Sequence, residues 1–180
     1  MLKIPNQDLG RPSAEEFALK ERLPVVVVLD NVRSMNNVGS FFRTCDAFAV
    51  ERMALCGITA SPPDKEIHKT ALGAENTVPW SHYASTLDAV VKLRDEGYVT
   101  VAIEQVEGAV KLDRFRLEQG TKYALVFGNE VFGVGQDVVD ICDAAIEIPQ
   151  AGTKHSLNVA VSAGVVLWDF FRQLLRIQSH

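Results

Sequence analysis

The sequence predicts an α/β domain with a mostly parallel sheet, and three observations carry that expectation. Short apolar runs rich in β-branched residues recur, PVVVVLD (24–30) and YALVF (123–127) among them, as strands buried on both faces require. Stretches with helical spacing of apolar residues alternate with those runs. The loops that leave the runs are rich in Asn, Gly and Ser, and open parallel sheets bind ligands at that edge.

The elements follow in order. Ser13 and Glu16 in SAEEFALKER form a capping box that opens a short helix. After the strand at 24–30, NNVGSFFRTCDAFAV places Phe41, Phe42, Cys45 and Phe48 at helical spacing. RMALCG (52–57) is a second short strand, and SPPDKE (61–66) is expected to be a loop. Leu87 to Arg94 is helical and stops near Gly97, and YVTVAIE (98–104) is a strand. Beyond YALVF come a short helix from Gln136 to Cys142 and a last strand, AAIEI (144–148). The polar stretch IPQAGTKHSLN (148–158) then leads to a terminal helix, Leu157 to Leu175. Its expected core anchors are Val161, Val165, Leu167, Trp168, Phe171 and Leu175. Residues 1–22 read as a short helical extension and 23–180 as one domain, with helices flanking the sheet and no internal repeat.

Composition narrows the class. At 180 residues, 47% hydrophobic and 23% charged, the chain is sized for one globular core. A net charge of −5 argues against coating nucleic acid by bulk charge, so any phosphate contact needs a local basic patch. The N-terminus lacks the apolar core of a secretion signal, and AGVVLW is far too short to span a membrane. Cys45, Cys56 and Cys142 are odd in number and widely spaced, which favours reduced, buried thiols over a disulfide framework or zinc site. A cytoplasmic location without membrane or metal is the resulting expectation.

Three loops at strand ends carry the chemistry: DNVRSMNNVGSFFR, FGNEVFGVG and IPQAGTKHSLN. GNEVFGVG lacks the Lys-Ser/Thr of a phosphate-binding P-loop, and as a dinucleotide fingerprint it lacks the third glycine. Ser156 has no GxSxG elbow, and His155 beside it is badly placed to act as its base. The four His have no Cys partners at ligand spacing.

Taken together, the loops resemble the three motifs of the SPOUT class of methyltransferases, specifically the TrmH-like (SpoU) RNA 2′-O-ribose methyltransferases. Asn37-Val38-Gly39, with Arg43 six residues after the Asn, resembles motif 1. LVFGNEVFGV resembles motif 2, IPQAGTKHSLNVAVSAG motif 3, and ALGAE (71–75) with Val78-Pro79 an intervening segment. The likeness runs from about residue 24 to 175, and the order and spacing of its motifs make it specific. It implies a deep C-terminal trefoil knot around S-adenosylmethionine and a homodimer in which catalytic groups of one subunit meet the cofactor of the other. Without it no knot would be proposed, because knots are nearly absent from folds.

The resemblance also implies roles. Arg43 is the motif 1 arginine, assigned to deprotonating or polarising the ribose hydroxyl. Because Arg is effectively always protonated, gripping phosphate and stabilising the developing oxyanion suit it better than a literal base role. Asn37 would orient Arg43 or the ribose, or else cap the following helix. Glu130 would anchor Arg43 or order the loops, as a partly buried carboxylate wants a cationic partner. Ser156 and Asn158 would hold substrate or support the knotted loop, with Ser156 also a candidate helix cap. Gly128, Ile148 and Leu157, with Ile103 after the strand at 98–104, would hold the cofactor. Arg33, Lys65, His68, Lys69, Lys154 and His155 are candidates for a phosphate-binding patch. KLDRFR (111–116) fits either a nucleic-acid surface or a cover over the core.

Only about twenty residues precede the first strand, where many relatives carry an additional RNA-binding domain, so substrate choice is expected to rest on the catalytic domain, with tRNA favoured over rRNA. Two rivals stand against a methyltransferase. A non-catalytic RNA-binding protein keeping the fold is opposed by intact Arg43, Asn37, Glu130 and SLN, and a dehydrogenase by the missing glycine.

Overall fold

The computed structural model describes residues 1–5, 8–19 and 21–178. Its strands are β1 (Leu23–Asp30), β2 (Val50–Cys56), β3 (Trp80–Tyr83), β4 (Tyr98–Ile103), β5 (Val110–Lys111), β6 (Lys122–Phe127) and β7 (Ala144–Glu147). They form one sheet in the order β3-β2-β1-β6-β4-β7-β5, and every pairing in it is parallel. The helices are α1 (Ala14–Leu19), α2 (Met35–Ala47), α3 (Lys65–Ala71), α4 (Thr86–Asp95), α5 (Gln136–Ile141) and α6 (Val159–Gln178). Among these described residues no helix is long and apolar enough to cross a membrane.

The sheet is covered on both faces, which is why β1 is an unbroken apolar run. Val25, Val27 and Leu29 join Phe41, Phe42, Val166, Leu167 and Phe170 in a core beneath α2 and α6. Val26 and Val28 point the other way, into a core with Ala89, Val90, Leu93 and Val138 of α4 and α5. The second face is lined by small residues, Ala54, Ala102 and Ala124, so α4 can lie close to the strands. Two late strands enter between neighbours already laid down, β6 between β1 and β4 and β7 between β4 and β5. That interleaving is consistent with the knotted C-terminal part the resemblance implies.

Local chemistry sets most boundaries. Ser13 and Glu16 close the expected capping box, Glu16 N–H to Ser13 Oγ at 3.2 Å and Ser13 N–H to Glu16 Oε2 at 2.8 Å. Ser34 caps α2 by accepting the Asn37 N–H at 3.3 Å, and α2 ends one residue before Phe48. The segment expected as a loop at 61–66 runs into α3, because Asp64 accepts the N–H groups of Glu66 and Ile67. The strands β3 and β5 were not expected. They are short edge strands, of four and two residues, too brief to show a period in sequence.

The terminal helix differs from expectation in the face it buries. Ala163, Val166, Leu167, Phe170 and Leu174 are its core residues. Of the expected anchors, Leu167 is buried and Phe171 packs at the edge of the core, but Val161, Val165, Trp168 and Leu175 are 53%, 39%, 53% and 47% exposed. Both faces of α6 are apolar, so helical spacing alone does not say which faces the sheet.

Gly39 of motif 1 has a packing reason. A Cβ there would lie 2.1 Å from Thr70 Oγ1 and 2.3 Å from the Ile67 carbonyl oxygen, because α3 crosses α2 at that point. Phe115 in KLDRFR stacks on Phe170 with centroids 5.9 Å apart, so that segment covers the core. Cys45 and Cys56 are buried, and burial pushes the Cys56 thiol up to about 12 and that of the half-buried Cys142 to about 11.

Candidate active site

Four strand ends bring their loops together at the carboxyl edge of β1, β4, β6 and β7. Between them lies a cleft of about 490 Å³, a size typical of small-molecule sites. Ile103, Gly128, Ile148 and Leu157, the residues expected to hold a cofactor, all line it, with Phe127 and Ile146 among its other apolar walls. Glu130, Ser156 and Asn158 line it as well.

Asn37 joins the loops at its rim. Its Nδ2 donates to Glu130 Oε1 at 2.9 Å, and its Oδ1 accepts from Asn158 Nδ2 at 3.2 Å. Asn158 Oδ1 is engaged by the N–H groups of Ala160 and Val161, at 2.9 and 3.3 Å, so Asn158 caps α6. The Asn158 amide therefore has only its NH₂ left for Asn37, whose own NH₂ must then face the carboxylate. Every bond in this row has one consistent direction.

Glu130 does not meet Arg43. It is an exposed residue whose carboxylate accepts from Arg33 N–H at 3.0 Å and Ser34 N–H at 2.9 Å as well as from Asn37. Partial burial pulls its pKa up, but these hydrogen bonds outweigh it and hold the carboxyl below the usual range. The expected cationic partner is replaced by N–H donors, which order the motif 1 loop directly.

Arg43 stands apart. It is exposed on α2, does not line the cleft, and shows no hydrogen bond or ion pair to any described residue. Six residues of helix rotate it about 120° away from Asn37, so Asn37 does not orient it. Asn37 is not the helix cap either, since Ser34 fills that position. Ser156 is exposed at the cleft, and the cap of α6 falls to Asn158 instead.

Several contributors were not anticipated. Asn129 ties motif 2 to motif 1 through Nδ2 to the Asn31 carbonyl at 2.7 Å. Glu104 accepts the N–H groups of Gln105 and Val134, each at 2.9 Å, and Gln105 Nε2 donates to the His155 carbonyl at 2.9 Å. Buried Asp30 accepts from Thr86 Oγ1 and from Gly135 N–H. The signal available was their place directly after apolar strands, where polar side chains line ligand sites. Gly128 also has a steric reason: its Cβ would sit 2.0 Å from the Gly133 carbonyl carbon, where the loop folds back on the strand end.

The candidate phosphate patch divides. His68 Nδ1 lies 2.5 Å from Glu75, and Lys69 pairs with Glu66 at 2.6 Å. The side chains of Arg33, Lys65, Lys154 and His155 are exposed and show no partner among the described residues.

A cleft of this kind, on the carboxyl edge of a fully parallel sheet, marks an α/β protein with a preformed small-molecule site. The SpoU rRNA methylase family model matches residues 24–168. A 23S rRNA (guanosine-2′-O-)-methyltransferase from Vibrio vulnificus is 28% identical over 97% of this chain and 69% of its own length. An AdoMet-bound rRNA methyltransferase from Sinorhizobium meliloti superposes with a TM-score of 0.78 at 29% identity, over 88% of this chain and 60% of that one. The A. aeolicus TrmH/SpoU tRNA modifying enzyme gives 0.79 at 26% identity, over 90% and 81%. The chain thus spans less than two thirds of the Sinorhizobium protein. It belongs to the SpoU rRNA methylase family, a family of S-adenosylmethionine-dependent RNA 2′-O-ribose methyltransferases with the SPOUT fold.

The cleft suits that cofactor. Its apolar walls fit an adenosine, while Glu104 and Glu130 bond only to N–H groups and form no ion pair among the described residues. Their charge is left to complement a cationic sulfonium.

Proposed function

We propose that this chain methylates the ribose 2′-hydroxyl of an RNA as a homodimer, with tRNA favoured over rRNA and a cytoplasmic location. The observation that carries the reading is the row from Glu130 through Asn37 to Asn158, which joins all three motif loops at the rim of a cleft fit for the methyl donor. When bound, S-adenosylmethionine would supply a methyl on a positive sulfonium, which would pass to the 2′-oxygen with loss of the C–S bond and release of the hydroxyl proton to solvent.

The chain's residues position this transfer. Ile103, Ile148 and Leu157 wall the adenosine, and the backbone at Gly128 lets the motif 2 loop close beneath it. Glu130 and Asn37 hold the motif 1 loop against the cleft, which removes ordering cost when substrate arrives. Ser156 and the end of Asn158 face the acceptor. Arg43 grips the RNA phosphate and stabilises negative charge growing on the 2′-oxygen. Since Arg43 lies off its own chain's cleft, it acts on the cleft of a second copy.

That second copy has a surface to use. Val161, Val165 and Trp168 expose an apolar stripe on α6, and Trp168 packs beside Phe48 at the end of the helix that carries Arg43. A dimer through this stripe buries the apolar surface and moves Arg43 toward the partner. The tRNA preference is supported by the A. aeolicus tRNA-modifying enzyme, of which the chain spans 81%, against 60% of the Sinorhizobium rRNA enzyme.

The test is transfer of labelled methyl from S-adenosylmethionine into total small RNA and, separately, ribosomal RNA. Methylated riboses are then mapped by resistance to alkaline cleavage. One protected ribose in a tRNA is expected. Label confined to ribosomal RNA removes the tRNA preference, and binding of RNA without any transfer supports a non-catalytic RNA-binding protein instead.

A further inference from the structure

Phe132 is 84% exposed and Val131 beside it 68%, more than any other large apolar side chain described beyond residue 19. Such exposure usually goes with a loose loop, and this loop is not loose. Asn129 Oδ1 accepts the N–H of Val131 at 2.9 Å and of Phe132 at 3.2 Å. Asn129 and Gly133 exchange two backbone hydrogen bonds of 2.9 Å, and the next two N–H groups are held by Glu104 and Asp30. The ring is therefore presented to solvent on a braced tip at the mouth of the cofactor cleft, which Phe132 also lines.

Resting on the methyltransferase reading, we propose that Phe132 is a stacking platform for an unpaired nucleobase of the RNA substrate, at or next to the methylated nucleotide. A ribose that presents its 2′-oxygen to the cleft must carry its base, and the adjoining bases, over the rim where this ring stands. Proteins hold unstacked RNA bases on aromatic side chains, and every base offers a π-face, so the grip tolerates any sequence. The need for it follows from composition: with a net charge of −5, general attraction for phosphate is weak, and contacts independent of charge must carry more of the affinity. The substrate class this implies is a single-stranded or loop region, not the interior of a duplex. The other apolar stripe, on α6, is the surface assigned to the second subunit.

The experiment compares wild type with Phe132→Ala, Phe132→Leu and Phe132→Tyr in steady-state transfer to RNA, with sedimentation to follow the dimer. Loss of one base stack predicts that the Ala and Leu variants raise KM for RNA by roughly 5- to 100-fold, far more than KM for S-adenosylmethionine, while the dimer persists. Phe132→Tyr should stay near wild type, because it keeps the ring. The proposal is overturned by an unchanged RNA KM in the Ala variant, by a Leu variant as good as wild type, by an equal loss of donor affinity, or by dissociation of the dimer. Should wild type transfer no methyl to RNA, the methyltransferase reading fails and anisotropy with a labelled single-stranded RNA decides the platform separately. Wild-type binding weakened by Phe132→Ala upholds the platform, and a wild type that binds no RNA ends it.

Discussion

The two ends of α2 are built to opposite rules. At its N-terminus, the Arg33 and Ser34 N–H groups, the Ser34 hydroxyl and the Asn37 amide all have partners within the chain, at Glu130, Asn37 and Asn158. Toward its C-terminus, Arg43 has no polar partner described, and the helix ends against the exposed Trp168 of α6. The first region is a fully bonded rim of the cleft. The second is a surface that leaves a charge and an apolar ring open to solvent. One motif, Asn37 to Arg43, thus faces two ways because a helix turns its residues to different sides.

The comparison breaks most readily at α6. Replacing Trp168 with Glu places a charge on the apolar stripe and should give a monomer by sedimentation, with methyl transfer falling to background while the fold survives by circular dichroism. A fully active monomer would return Arg43 to its own chain's cleft. Arg43→Ala comes next: the dimer and donor binding should persist while kcat falls about 100- to 1,000-fold, the scale seen for removal of one charge-stabilising group. Wild-type kcat in that variant would remove its role.

Changes in the bonded region should act on stability and cofactor affinity. Gly39→Ala forces a methyl into the α2–α3 crossing and should cost about 1–3 kcal/mol in denaturant unfolding. A neutral result would mean that α3 moves freely, against the close packing. The smallest effect is expected from Glu130→Gln, which keeps the shape and one acceptor oxygen but loses the charge; a weakening of donor binding of roughly tenfold is expected in calorimetry, in line with loss of one charge-assisted hydrogen bond. Because the Glu130 pKa is depressed in the fold, its stabilising contribution is fully present above the ordinary Glu value of about 4.3 and is lost as pH falls through the lower folded value. Wild-type donor binding should therefore show no Glu130-linked change from pH 8 to 5, and should lose that contribution only in more acidic solution, where the Gln variant has none to lose.

Much of this was open to reading in advance, and the exceptions share a cause. PVVVVLD reads as a doubly buried strand because both faces of β1 have a core to fill. Among the cleft residues, Gly128, Ile148 and Leu157 follow from motif positions and Ile103 from its place at a strand end, since strand-end loops of a parallel sheet converge wherever its strands align. β3 and β5 escaped because a two- or four-residue edge strand is defined by its neighbour's hydrogen bonds and not by its own composition. The face of α6 escaped because its exposed face carries the same kinds of apolar residue as the face that packs on the core.

By itself, the sequence determined the fold class, the main buried strands, the caps at Ser13 and the three motif loops, because period, side-chain volume and local hydrogen bonding act over a few residues. Only the tertiary structure decided that Glu130 binds the motif 1 backbone and Asn37 rather than Arg43, that Asn158 and not Ser156 caps α6, and that Phe132 stands out at the cleft. Those outcomes depend on the direction in which a side chain leaves its element and on what residues a hundred positions away place opposite it. Local propensity carries no such information; the assembled sheet does.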